Sequence, residues 1–134
     1  MTRGEAVDIV TLLREDYQHF PRDQRYELYD PGVYFKDPLS EFRGIKRFRQ
    51  MVGLMERWFL NARMDLHDIQ QRDRLITTRW TLSWNTPLPW KPRIAISGRS
   101  ELTLNDEGLI VSHIDWWDCS IWDVVQQHWP FSKA

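Results

Sequence analysis

The sequence predicts an α+β fold, with helices gathered before residue 60 and an antiparallel sheet after it. Two observations carry this. Apolar residues recur at steps of three and four in two early stretches, and from residue 64 the period changes to two. A third bears on function: of eight tryptophans in 134 residues, all but Trp58 fall in the second half. Indole is large, rigid and amphipathic, so it suits cores, ligand walls and protein interfaces alike.

The first helix is expected over residues 2–20, where Ala6, Ile9, Val10, Leu13, Tyr17 and Phe20 form one apolar stripe. Thr2 and Glu5 have the spacing of a capping box, and Pro21 disfavours continuation. A short second helix is expected in "RDQRYELY", with Tyr26 and Tyr29 three apart. Asp30-Pro31-Gly32 then reads as a turn and "VYFKD" as a short strand. Beyond Gly44, the residues Ile45, Phe48, Val52, Met55 and Phe59 make the stripe of another helix. Its opposite face carries Lys46, Arg47, Arg49 and Arg57 as solvated charges.

"MDLHDIQQ" reads as a strand with an irregularity, since Met64 and Leu66 fall out of phase with Ile69. In "RLITTRWTLSW" the alternation is strict, with Ile76, Thr78, Trp80, Leu82 and Trp84 on one face. "RIAISGRSELTL" repeats it, setting Ile94, Ile96, Leu102 and Leu104 against Arg93, Arg99 and Glu101. Such strands are half-buried, as in an antiparallel sheet covered on one side. The connector "NTPLPWKP" holds three prolines and is expected to be stiff and extended. Asn105-Asp106-Glu107-Gly108 makes a turn into "LIVSHIDWW", where Leu109, Val111, His113, Asp115 and Trp117 share a face. The opposite face, Ile110, Ser112, Ile114 and Trp116, is also apolar enough to need cover. Either the C-terminal segment or a second subunit supplies it. Ser120 and Asp123 have capping-box spacing at the head of a short terminal helix.

Composition narrows the function classes. The length fits a single domain over 1–134, and 42% hydrophobic residues suffice for a core. A formal charge of -1 argues against a nucleic-acid surface. No apolar run is long enough to cross a bilayer, and Glu5 and Asp8 interrupt any leader-like stretch. One cysteine, Cys119, excludes an internal disulfide and fits a reducing, cytoplasmic setting. Its expected role is that of a small apolar side chain. No metal is expected, because neither His67 with Asp68 nor His67 with His113 has compact ligand spacing. No cofactor is expected either.

The element order, with "YDPGVYFKDP", "FRG" and "LTLNDEGLIVSHIDWWD", resembles the nuclear-transport-factor-2-like superfamily, in its SnoaL-like branch. The ending "HIDWWDCSIWDV" is similar to an uncharacterised family of photosynthetic organisms within it. The resemblance implies a cone-shaped roll, with a curved antiparallel sheet around about three helices and a short C-terminal helix or tail. It further implies a pocket at the open end and frequent homodimerisation through the sheet. Isomerases, dehydratases, cyclases and non-catalytic binding modules share this scaffold. In its ketosteroid isomerases the residue matching Asp37 is the general base. Leu13 and Ser100 stand where those enzymes carry a tyrosine and a protonated acid, and Tyr17 lies one turn from Leu13.

Asp37 is in phase with Val33 and Phe35, so its carboxylate is expected on the apolar side, where desolvation raises its pKa. The simpler role, and the one favoured, is to accept backbone N–H bonds from the turn after Pro38. His113, Asp115 and Trp117 are expected to look into the same interior. Two strand residues on one face are roughly 7 Å apart along the chain, too far for an automatic contact. Tyr17, Phe35, Phe59, Trp80, Trp84 and Leu102 complete the expected ligand wall. The leading expectation is a pocket-bearing binding protein for a small, largely apolar molecule. The alternatives are a proton-transfer enzyme with Asp37 as base, and an assembly module using the tryptophan-rich sheet and tail. An open cavity of several hundred cubic ångströms favours a ligand, and one filled by its own indoles favours the interface.

Overall fold

A computed structural model of the chain describes residues 8–130. In chain order these form α1 (Ile9–Gln18), a single 3-10 turn (Tyr26–Leu28), β1 (Tyr29–Lys36), β2 (Glu41–Arg43) and α2 (Ile45–Trp58). There follow β3 (Leu60–Arg72), β4 (Leu75–Asn85), β5 (Arg93–Leu104), β6 (Ile110–Trp117) and α3 (Ile121–Gln127). The six strands make one curved, unclosed sheet in the order β2-β1-β6-β5-β4-β3. Every pairing is antiparallel except β1 with β6, which is parallel. This is the α+β cone expected, with a mixed sheet in place of a purely antiparallel one. No helix among the described residues is long and apolar enough to cross a membrane.

The helices follow their stripes. In α1 the inward residues are Leu13 and Asp16, and in α2 they are Phe48 and Val52. Fully burying an apolar side chain such as Leu13, Phe48 or Val52 stabilises the fold by about 1.5–3 kcal/mol. Gly44, at φ 108°, holds the residue before α2 in a backbone conformation that other residues rarely adopt. The expected Thr2–Glu5 capping box and Ala6 lie outside the described residues. The expected second helix is reduced to its 3-10 turn, because the chain before it is held elsewhere: the Arg25 backbone N–H and guanidinium both bond Asp16.

The strands differ from expectation at their irregular points. β1 starts at Tyr29, so Asp30-Pro31-Gly32 lies within it. The turn chemistry survives as a bulge, with Gly32 N–H on Asp30 Oδ2 at 2.8 Å and the register with β6 broken between Tyr29 and Tyr34. β3 carries the expected irregularity, with a shift between Leu66 and Asp68. In β4 the residues Ile76, Thr78, Trp80, Leu82 and Trp84 are all buried. β6 holds a further shift: Leu104 pairs Ile110 while Thr103 pairs Ser112, which leaves Val111 as the extra residue. Ile110 therefore turns inward at the strand's start, replacing the expected Leu109 and Val111, and His113 follows on the interior face.

The core divides by depth. Leu13, Val33, Ile69, Ile76, Leu102, Leu104 and Ile110 fill one end of the cone. Toward the other end two clusters face each other. Trp80, Leu82, Trp84, Ile94 and Ile96 form one, and Phe35, Phe48 and Val52 form the second. At the close of the chain, α3 begins on a reciprocal Ser120–Asp123 capping box and packs against β5. The Gln127 side chain bonds both the N–H and the C=O of Ala95, below the point where β6 pairing ends.

Candidate functional site

Between the two aromatic clusters lies a cavity of about 420 Å³. Leu13 reaches it from the filled end; α2 contributes Phe48, Met51, Val52 and Met55, and α3 contributes Val124. Phe59 and Trp84 form part of the wall as parallel stacked rings, with centroids 4.0 Å apart. Trp58, Trp80, Trp84 and Trp117 border this space without filling it.

Polar groups gather on one side of it. Trp80 Nε1–H donates to Ser100 Oγ at 2.8 Å, and Ser100 donates in turn to Asp115 Oδ1 at 2.5 Å. His113 Nε2 lies 2.8 Å from the same carboxylate oxygen. An ionised carboxylate only accepts, so this ring nitrogen carries the proton. The other nitrogen, Nδ1, is buried with no partner among the described residues. Rings of Phe35 and Phe48 hold the imidazole, with centroids 5.1 and 5.7 Å from it. Tyr17 Oη and Thr78 Oγ1 share a hydrogen bond of 3.0 Å. Burial pushes the Tyr17 phenol up to about 12, so it stays protonated.

Asp37 stands one residue past the end of β1 and lines the same cavity. Its Oδ1 accepts the N–H groups of Leu39 and Ser40 at 2.8 and 2.7 Å, so the turn role is real. Burial nonetheless lifts its carboxyl above the ordinary value of 3.8. The two amides and His113 oppose that rise, and Asp115 adds to it. One oxygen of Asp37 closes a turn, and the other has no hydrogen-bond partner among the described residues.

Tyr17, Phe35, Asp37, Phe59, Trp80, Trp84, His113, Asp115 and Trp117 all line the cavity. Leu102 does not. It is 1% exposed in the filled end, two residues along β5 from Ser100, which does line the cavity. Sequence reasoning missed Thr78 as the partner of the Tyr17 hydroxyl. It also missed Asp16, whose buried carboxylate is bound by the Arg25 guanidinium at 2.6 Å. Desolvation raises the Asp16 carboxyl above its usual value, and the bonds from Arg25 offset part of this.

Outside the cavity the chemistry is sparse. A second, open depression of about 470 Å³ runs between α1 and β3, lined by Arg14, Gln18, Asp65 and His67 among others. It lacks the apolar enclosure of the first. His67 bonds Thr81 Oγ1 at 2.7 Å and has no part in the His113 cluster. Among the described residues no three His, Cys, Asp or Glu side chains converge as metal ligands. Cys119 packs beside the tryptophan cluster, and burial pushes its thiol up.

Comparison with known proteins places this geometry. Residues 7–113 match the family model described as "Uncharacterized conserved protein (DUF2358)". No curated protein matches the chain. Among solved structures, a hypothetical protein with a ketosteroid isomerase-like fold from Catenulispora acidiphila, in complex with trimethylamine, superposes with a TM-score of 0.71. It is 15% identical, over 90% of this chain and 91% of that one. An NTF2-like protein of unknown function from Exiguobacterium gives a TM-score of 0.63 at 17% identity, covering 83% and 95%. An LEH-like epoxide hydrolase from M. tuberculosis gives 0.68 at 15%, covering 88% and 86%. What this chain shares with them is the nuclear-transport-factor-2-like fold, a scaffold that hosts many chemistries.

Proposed function

This chain belongs to the DUF2358 family of uncharacterized conserved proteins, and we propose that it is a binding protein for one small, largely apolar molecule. The observation that carries this is the 420 Å³ cavity, walled by aromatic and aliphatic side chains with polar groups gathered on one side. Pockets that take small molecules have this size and this division between apolar wall and few polar anchors. In the reading proposed, Tyr17, Phe35, Phe59, Trp80, Trp84 and Trp117 contact the apolar body. Asp37, His113 and Asp115 meet its polar end. The trimethylamine bound to the Catenulispora protein supports a small occupant.

A second reading has one specific observation in its favour. The Asp37 carboxyl is lifted by burial and keeps one oxygen free of the turn, as a proton acceptor requires. In this alternative the protein is a proton-transfer enzyme of the isomerase or dehydratase type, with Asp37 as base. The reading also takes the chain as a single domain that pairs through its sheet and works in the cytoplasm. The likeness of its ending to a family of photosynthetic organisms belongs to it too.

The test is calorimetric titration with cyclohexylmethanol, a neutral apolar probe. A saturable one-to-one response, abolished by Met55→Trp on the cavity wall, is the expected result. A response that survives the filled cavity puts the probe elsewhere and ends the pocket reading.

A further inference from the structure

The cavity's charge is one-sided. Among the described residues three carboxylates line it, Asp16, Asp37 and Asp115, and no lysine or arginine does. Asp16 is already matched, since Arg25 binds it at 2.6 Å through its guanidinium and at 3.0 Å through its backbone N–H. The other two have no arginine or lysine partner among the described residues. Asp37 is met by neutral amides, and Asp115 by a hydroxyl and an imidazole.

Their spare hydrogen-bonding capacity is of one kind. Both bonds to Asp37 fall on Oδ1, and so do both bonds to Asp115. Each Oδ2 is left as an acceptor among the described residues. His113 donates from Nε2–H to Asp115 Oδ1, and its Nδ1 is buried without a partner among the described residues. The His113 side chain is only 12% exposed, so bulk water offers it little. A native interior rarely leaves such an atom unpaired without a reason.

The walls complete the pattern. Around His113 stand Phe35 and Phe48, and further along are Trp80 and the stacked Phe59–Trp84 pair. Aromatic faces attract a cation placed over them, and the attraction strengthens when water is excluded. An anionic ligand would bury its charge beside two carboxylates that no lysine or arginine among the described residues neutralises, which is costly. A ligand whose polar end only accepts hydrogen bonds would leave the acceptors unmet.

We infer that the cavity selects an organic cation: an apolar body carrying a protonated amine, whose N–H groups serve the spare carboxylate oxygens of Asp37 and Asp115. The inference rests on the pocket reading above and names its ligand class. The amine supplies donors to the two carboxylates, and the indole and phenyl rings take its hydrocarbon.

Three probes with one ring and three charge states test it on the full chain: cyclohexylmethylamine, cyclohexylmethanol and cyclohexanecarboxylate, titrated calorimetrically at neutral pH and low salt. The amine is expected to bind about tenfold tighter than the alcohol, the margin of a charge-assisted over a neutral hydrogen bond. The carboxylate is expected to be weakest. Asp37→Asn keeps an oxygen for the Leu39 and Ser40 amides, and it should reduce the amine's advantage. Alcohol and amine binding equally, or carboxylate binding best, overturns the cation inference while the pocket reading stands. Failure of all three to bind overturns both.

Discussion

His113 and Asp115 touch at 2.8 Å although they are alternate residues on one face of one strand. Their positions along β6 are roughly two residue rises, or 7 Å, apart. Spacing alone does not predict the contact. Two neighbours make it. Ser100, the register partner of Asp115 on β5, fixes the carboxylate from the side, and Phe35, the register partner of His113 on β1, packs against the imidazole. The dyad is thus a product of the sheet's pairing.

Asp115→Ala should therefore strand two donors, His113 Nε2–H and Ser100 Oγ–H. Each buried group left unpaired costs about 1–3 kcal/mol. Asp115→Asn should cost less, because its carboxamide oxygen still accepts. Urea unfolding measures both, and an alanine variant as stable as the wild type contradicts the network.

Asp37 links stability to pH with a definite sign. Its folded-state pKa is raised, so its favourable contribution is complete below 3.8 and is lost as pH rises through the folded value. Asp115 and His113 on β6 are the ionisable neighbours that act on it. At neutral pH, Asp37→Asn should be at least as stable as the wild type, since it keeps the turn and drops the buried charge. Asp37→Ala loses an acceptor for two amides and should cost about 1–2 kcal/mol. A carboxyl-carbon NMR titration should place the Asp37 midpoint above 3.8; a midpoint at or below it removes the case for Asp37 as a base.

Gly98 marks where the Trp80 ring comes close against β5. A Cβ there would collide with the Trp116 carbonyl oxygen and come within 3.0 Å of the Trp80 ring. Backbone cannot yield cheaply, so Gly98→Ala should destabilise by about 1–3 kcal/mol. It should also disturb the Trp80–Ser100 bond, visible as a shift of the Trp80 indole N–H resonance. An alanine variant with unchanged stability and spectrum contradicts the close approach.

Periodicity revealed which face a residue takes but not how deep along the cone it sits. Leu102 and Ser100 share a face of β5, yet one packs into the filled end and the other reaches the cavity. Strict alternation made β4 readable, and the misfit of Met64 and Leu66 against Ile69 exposed the β3 bulge. The β6 bulge at Val111 left no such trace, because both its faces are apolar. Asp30-Pro31-Gly32 misled in another way: the local hydrogen bond of a turn occurs inside a strand. The Asp16–Arg25 pair, joined by the chain's reversal after α1, follows from no sequence period.

The most direct test of the central claim uses the tryptophans as reporters. Cyclohexylmethanol titrated into the protein should shift the indole N–H resonances of Trp80 and Trp84, which border the cavity, in a saturable way. Trp122 and Trp129, 64% and 66% exposed on and just beyond α3, should stay unmoved. Shifts confined to Trp122 and Trp129, with the cavity indoles silent, would contradict an internal binding site and put the tryptophan-rich surface in its place.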